Sequence, residues 1–273
     1  LYEGGLIARS TLVPEYQRIA EKALRNGLIE YDMRRGLHSE PLAKIDNMDE
    51  WQKALGAVAR PAGAGDFELA VVLESGDKQA TMGLRDGGKA LVPYERMRWA
   101  RKRGTPEVKK ASDVLKRGDV WLIQNAGSED KPVWWLRQIP EVQGGIIVMN
   151  PHNGRIFAIA GGFSYEMSQF NRTSQAIRQP GSAFKPFVYL AGLEAGFTPA
   201  TLVLDAPFVM EQGPGLKDWR PKNYSADYGG PTTVRVGLEK SRNLMTIRLA
   251  NYVGMERISE ICRQFGVTDN LPT

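Results

Sequence analysis

Pro186 stands near the start of an otherwise apolar stretch, Lys185-Pro-Phe-Val-Tyr-Leu-Ala-Gly-Leu-Glu-Ala-Gly196. A proline has no N–H and a fixed φ, so a helix tolerates it only in the first turn. The stretch is therefore a helix only if it begins within about a turn of Ser182, and Gly196 is placed to end it. Phe187, Val188, Leu190, Ala191, Leu193 and Ala195 cover nearly every face, which predicts a central helix rather than a surface one.

That start puts Ser182 at a helix N-terminus with Lys185 three residues on, on the same face. A lysine partly withdrawn from water beside a positive helix end is biased toward its neutral form, as a base acting on a serine hydroxyl requires. The free N–H groups of the first turn are ready donors to an oxyanion. Ser-x-x-Lys is a weak pattern by itself, and Ser75-Gly-Asp-Lys78 and Ser128-Glu-Asp-Lys131 also match it. Neither precedes a long apolar helix, so both read as turns. The competing reading of Ser182 is a simple N-cap with Lys185 on the surface. Ser241-Arg242-Asn243, the one Ser-x-Asn of the chain, falls between two predicted helices over 234–240 and 244–252. A second hydroxyl and an amide there suit proton relay and the holding of a peptide group.

The remaining chemistry is sparse. Cys262 is alone, so no disulfide framework exists, and its helix-like context predicts a buried, inert thiol. His38 and His152 lie in turn-rich contexts and are too few for a common metal cluster; nothing in the sequence asks for a cofactor or a metal. Between Glu95 and Gly118 nine Lys and Arg face three acidic residues, yet only Trp99 interleaves as a stacking aromatic, so this basic stripe reads as a solvated face before a nucleic-acid site. No stretch approaches the roughly 18 apolar residues of a membrane span, and residues 1–30 lack a leader pattern, so an anchor or export signal is expected outside these 273 residues.

Along the chain, residues 4–12 predict a strand and Pro14 a helix, with Tyr16, Ile19, Ala23 and Leu24 at helical spacing. A short helix is expected over 51–58. Four β-rich runs between Phe67 and Gln124, separated by Gly-Asp and Asp-Gly-Gly turns, suggest a small barrel of about five strands, most economically an OB-type barrel. Gly144–Ala160 reads as a hairpin, apolar throughout, as in a sheet covered on both faces, and opens a new domain.

These residues together resemble the class A, bifunctional penicillin-binding proteins of Gram-negative bacteria. The resemblance is carried by 161–189, Trp219-Arg-Pro-Lys-Asn-Tyr224, 230–254 and 111–120, in family order, and spans essentially the whole chain. It implies an α+β, β-lactamase-like transpeptidase domain over 142–273 with an inserted OB-like barrel over 35–141, and residues 1–34 as a strand-helix linker packing on the transpeptidase domain. It implies that Ser182 is acylated, that Lys185 is its base, that Ser241 and Asn243 relay protons and position substrate, and that Asn223 and Tyr224 bind substrate. The implied reaction is D,D-transpeptidation of peptidoglycan stem peptides, with β-lactams trapping the serine. Further implications are a glycosyltransferase half in the full-length protein, a periplasmic place on the inner membrane, and an outer-membrane or cell-wall protein as partner of the OB-like barrel, with no nucleic acid. Lys-Thr-Gly, the family's third motif, does not occur in the sequence, so the chain is expected to be a fragment carrying an incomplete and impaired site. Two rivals stand beside this reading: an inactive penicillin-binding-like receptor or binding module, and an OB-fold binder of single-stranded nucleic acid.

Overall fold

The computed structural model describes residues 4–5, 9–102, 105–128, 130–268 and 271. They form two compact units, 1–176 and 177–273. The first opens with α1 (Pro14–Arg35), which has Pro14 in its first turn, as the sequence predicts. Its buried positions are Ala20, Ile29 and Asp32, while Tyr16 and Ile19 are left exposed. The helix is thus where its spacing places it, but it turns a different face inward. The strand expected over 4–12 does not form in its described part. Residues 9–13 instead form no regular element, with Val13 extended and its N donating to Phe157 O at 2.8 Å, and residues 6–8 lie outside the described residues. Pro14 starts the helix at once, which limits the pairing to that one ladder bond.

β1 (Ala43–Lys44) and α2 (Trp51–Ala57) precede a curled antiparallel sheet. Its strands are β2 (Glu68–Ser75), β3 (Gln79–Leu84), β4 (Lys89–Pro93), β5 (Asp119–Asn125) and β6 (Trp134–Arg137), with the four-residue α3 (Ala111–Val114) before β5. The strand order is β1-β5-β2-β3-β4, and β6 also pairs with β5. β2 and β5 are buried on both faces. Ala70, Val72, Trp121 and Ile123 point into a core shared with Met82, Val92 and Leu136. Leu69, Val71, Val120 and Leu122 point the other way, against Ile29 of α1, Leu55 of α2 and Phe67. Covering both faces is why these strands read as continuous apolar runs rather than alternating ones. β1 and β6, at two and four residues, are too short to stand out in the sequence.

The chain enters and leaves this sheet through one knot. Gln138 accepts from the backbone N of His38 (3.1 Å) and Ser39 (3.3 Å) and donates to Asp32 Oδ2 (2.7 Å) and Gly36 O (3.1 Å). The His38 ring sits between Asp32 (3.0 Å) and Glu141 (3.4 Å). His38 is therefore a structural link, a role its turn-like sequence context did not announce. Beyond it, β7 (Ile146–Met149) and β8 (Ile156–Ala160) form the predicted hairpin. The Gln17 side chain of α1 takes the place of a strand for Ile159, bonding both its N–H and its C=O at 2.9 Å. Ile147 and Met149 are exposed, so among the described residues the hairpin is not covered on both faces as its composition suggested.

The second unit holds α4 (Lys185–Glu194), β9 (Leu202–Asp205), β10 (Gly230–Thr233), α5 (Val234–Glu239), α6 (Asn243–Val253) and α7 (Met255–Gln264). Val188, Tyr189 and Ala191 of α4 pack with Val234, Leu249, Ile258, Ile261 and the buried thiol of Cys262. Two glycines let the helices close up. A Cβ on Gly192 would lie 2.9 Å from the methyls of Leu249, and one on Gly237 would lie 2.7 Å from Met245 Cε and 2.8 Å from the Tyr189 hydroxyl.

Candidate active site

Ser182 lies on a single 3-10 turn, Gly181–Phe184, that runs directly into α4, with Pro186 in the first turn of that helix. The serine is exposed, and its backbone N–H donates to no acceptor among the described residues. Lys185, by contrast, is 8% exposed. Its ammonium donates to Ser241 O at 2.6 Å, Ser241 Oγ at 2.8 Å and Asn243 Oδ1 at 2.6 Å. Three donors meet three acceptors, and no hydrogen bond joins Lys185 to the Ser182 hydroxyl, contrary to the contact expected from their i, i+3 spacing. The lysine is committed instead to the Ser-x-Asn turn. Burial lowers its pKa from the ordinary lysine value.

The turn owes its shape to the end of α5. Ser241 N donates to Leu238 O (3.0 Å) and Arg242 N to Gly237 O (2.9 Å), the paired closure of a Schellman motif. The residue at its centre takes a left-handed conformation, and here that residue is Ser241, with φ +52. A glycine is usual at that position, so the serine is held in a disfavoured backbone state while its carbonyl and hydroxyl both face Lys185.

Asn243 opens α6 and uses both ends of its amide, accepting from Lys185 and donating to Lys222 O at 2.9 Å. Asn223 is buried and bonded inward: its Nδ2 donates to Asp205 Oδ1 (2.8 Å) and Asp227 O (2.9 Å), and its Oδ1 accepts from Leu244 N (3.3 Å). Tyr224 is fully exposed. Of the two residues expected to bind substrate, then, only Tyr224 offers its side chain to solvent, and Asn223 braces the start of α6. Two residues of this neighbourhood carry no signal in the sequence. Arg242 donates to Asp227 Oδ1 at 2.6 Å and, with Ser225, holds that carboxyl down to about 2. Only the fold brings residues 222–227 against 241–244.

The other two Ser-x-x-Lys matches behave as turns. Ser128 Oγ accepts from the backbone N of Lys131 at 3.2 Å, and Ser75 Oγ is buried without a partner at the end of β2. His152 sits in the β7–β8 turn, its N–H on Asn150 Oδ1. Among the described residues no three His, Cys, Asp or Glu side chains converge as a metal site.

Residues 144–272 match the family model of the penicillin-binding protein transpeptidase domain, and residues 39–142 that of the penicillin-binding protein OB-like domain. The chain belongs to the penicillin-binding proteins. Similar proteins include penicillin-binding protein 1A of Rickettsia typhi, 44% identical over 98% of this chain and 33% of the relative, and that of Escherichia coli, 34% identical over 97% and 32%. The crystal structure of penicillin-binding protein 1A from Haemophilus influenzae superposes on 94% of this chain and 37% of its own, at 35% identity and a TM-score of 0.76. This penicillin-binding protein chain thus spans about a third of the length of the curated relatives it matches. Its fold is α+β, a transpeptidase domain joined to an OB-like domain. No helix among the described residues is long and apolar enough to cross a membrane.

Proposed function

We propose that the protein is a serine D,D-transpeptidase that cross-links peptidoglycan stem peptides. In this reading the Ser182 hydroxyl attacks the carbonyl between the two terminal D-alanines. Its proton passes to the neutral Lys185 amine, D-alanine leaves with a proton delivered through Ser241 Oγ, and an amine of a second stem displaces the serine from the acyl-enzyme. A β-lactam follows the first half and stays on Ser182. The observation that carries this reading is the buried Lys185 amine, 2.6–2.8 Å from the Ser241 hydroxyl and the Asn243 amide at the foot of the turn bearing Ser182. Burial biases the amine toward the base form that the first step needs. The unclaimed N–H of Ser182 is a ready oxyanion donor.

The same reading assigns residues 35–141 to an inserted OB-like module, 1–34 to a linker and 142–273 to part of the transpeptidase. It also assigns the full-length protein a glycosyltransferase activity, a periplasmic place on the inner membrane and an envelope protein as partner. An inactive penicillin-binding receptor is the second reading, favoured by the missing Ser182–Lys185 hydrogen bond. Labelling with a fluorescent penicillin and mapping of the labelled peptide tests both: stoichiometric label on Ser182 that is lost in Ser182→Ala supports the enzyme. Label that survives Ser182→Ala removes Ser182 as nucleophile, and saturable binding without a covalent adduct selects the receptor.

A further inference from the structure

Asp205 ends β9 and is wholly buried, yet neither spacing nor motif marks it. A buried carboxylate persists only where charge and hydrogen bonds compensate its lost hydration. Here the compensation comes from three directions. Arg242 Nε lies 3.5 Å from Oδ2, Asn223 Nδ2 donates to Oδ1 at 2.8 Å, and Gly229 N donates to Oδ2 at 3.0 Å. Two of these partners reach directly into the site. Arg242 is the residue between Ser241 and Asn243, and Asn223 holds the N–H of Leu244, the next residue along. The strand end is itself fixed, because Arg248 of α6 donates to Ala206 O and Pro207 O, both at 2.7 Å. A non-glycine residue stays in the left-handed region only when its surroundings over-determine it, and the Schellman closure alone fixes only the α5 side of Ser241.

We propose that Asp205 is a positioning residue of the transpeptidase: through Arg242 and Asn223 it fixes the 241–244 segment, and so keeps Ser241 and Asn243 on Lys185. The proposal rests on the transpeptidase reading above. Its charge is the working part. Asp205→Asn keeps the shape but has one acceptor oxygen for Asn223 and Gly229, which donate to different oxygens of the carboxylate, and it leaves Asp227, 58% exposed at its side chain, as the ion-pair partner of the guanidinium.

The test uses the full-length protein, penicillin acylation kinetics and active-site titration. Asp205→Asn is expected to lower the first-order acylation step by about 10- to 100-fold, with the pre-acylation dissociation constant changed by less than about threefold and one label per chain still reached at saturation. Arg242→Gln is expected to slow the same step, and the double variant to be no slower than the slower single one, since Asp205→Asn already removes the ion pair that Arg242→Gln removes. A merely structural Asp205 would lower the labelled fraction and leave the rate of the remaining fraction unchanged; that result, or additive losses in the double variant, overturns the proposal. If wild type takes label on Ser182 and Asp205→Asn acylates at the same rate, the inference fails while the transpeptidase reading stands. If wild type takes no label, the transpeptidase reading fails. Crystal structures of the two proteins then decide the placement itself: Ser241 still left-handed and on Lys185 in Asp205→Asn overturns it, and release of that segment upholds it.

Discussion

Replacing Ser241 by glycine and by alanine separates two properties that one residue combines. Both changes delete the hydroxyl 2.8 Å from the Lys185 amine, a hydrogen bond to a charged group worth about 1.5–3 kcal/mol, less whatever the two remaining acceptors recover. They differ in the backbone. At φ +52 a residue with a Cβ is strained by roughly 1–2 kcal/mol, and alanine keeps that strain whereas glycine escapes it. Glycine gives back about 0.4–1 kcal/mol through the greater freedom of its unfolded chain. The glycine variant should therefore be the more stable of the two by about 0.5–1 kcal/mol, a shift of roughly 1–4 °C in melting temperature. Loss of the relay should slow penicillin acylation in both by a similar factor, about 10²-fold or more. Thermal melts and labelling rates of the three proteins measure this directly. An alanine variant that melts at or above the glycine variant would refute strain at Ser241, and wild-type labelling in either would remove its hydroxyl from the chemistry.

Gly237→Ala should destabilise the second unit by about 1–3 kcal/mol in a denaturant titration, since its Cβ would meet Met245 and the Tyr189 hydroxyl inside 3 Å, and the same change should cost less when made in a Met245→Ala background. Acylation should accelerate with rising pH as the Lys185 amine loses its proton, with the midpoint below the usual lysine value near 10.4, because burial disfavours the ammonium; a rate flat from pH 6 to 10 would contradict it. The Asp227 carboxyl titrates at about 2 in the fold and near 3.9 in the unfolded chain, so its stabilising effect is complete above pH ~4 and is lost as pH falls toward 2. Asp227→Asn should narrow the acid-side loss of stability in that window, by a small amount because the group is exposed.

What the sequence disclosed follows from how local each cause is. Pro186 and the apolar residues after it dictate where α4 begins, and the turn residues between β-rich runs delimit β2, β3, β4 and β5. The sequence singles out Lys185, Ser241 and Asn243, which the fold brings together, the last two because the spacing between helices α5 and α6 leaves room only for a turn. The partner of Lys185 was not legible. Spacing within one helix pointed it at Ser182, whereas its three acceptors arrive from a turn 56 to 58 residues away. The substrate role of Asn223 is implied by the family resemblance alone, and its bonds to Asp205 and to the N–H of Leu244 come only with the fold. Arg242, Asp227 and Asp205 form their ion pairs across the 206–229 loop, and charges spaced that far apart carry no periodicity to read.

The Gln138 bonds to His38 and Ser39 alter how the chain is counted during folding. Once the barrel has formed, residues 100 apart in sequence are held 3.1 Å apart, so the polypeptide on either side sees the excursion as a link of a few residues. Loop-closure cost grows by about 0.6 kcal/mol per doubling of length, so collapsing a 100-residue loop to about four spares the flanking segments roughly 3 kcal/mol. The barrel meets that cost within its own core. Its length is therefore nearly invisible to α1 and the β7–β8 hairpin, which can pair as though they were near neighbours in the chain.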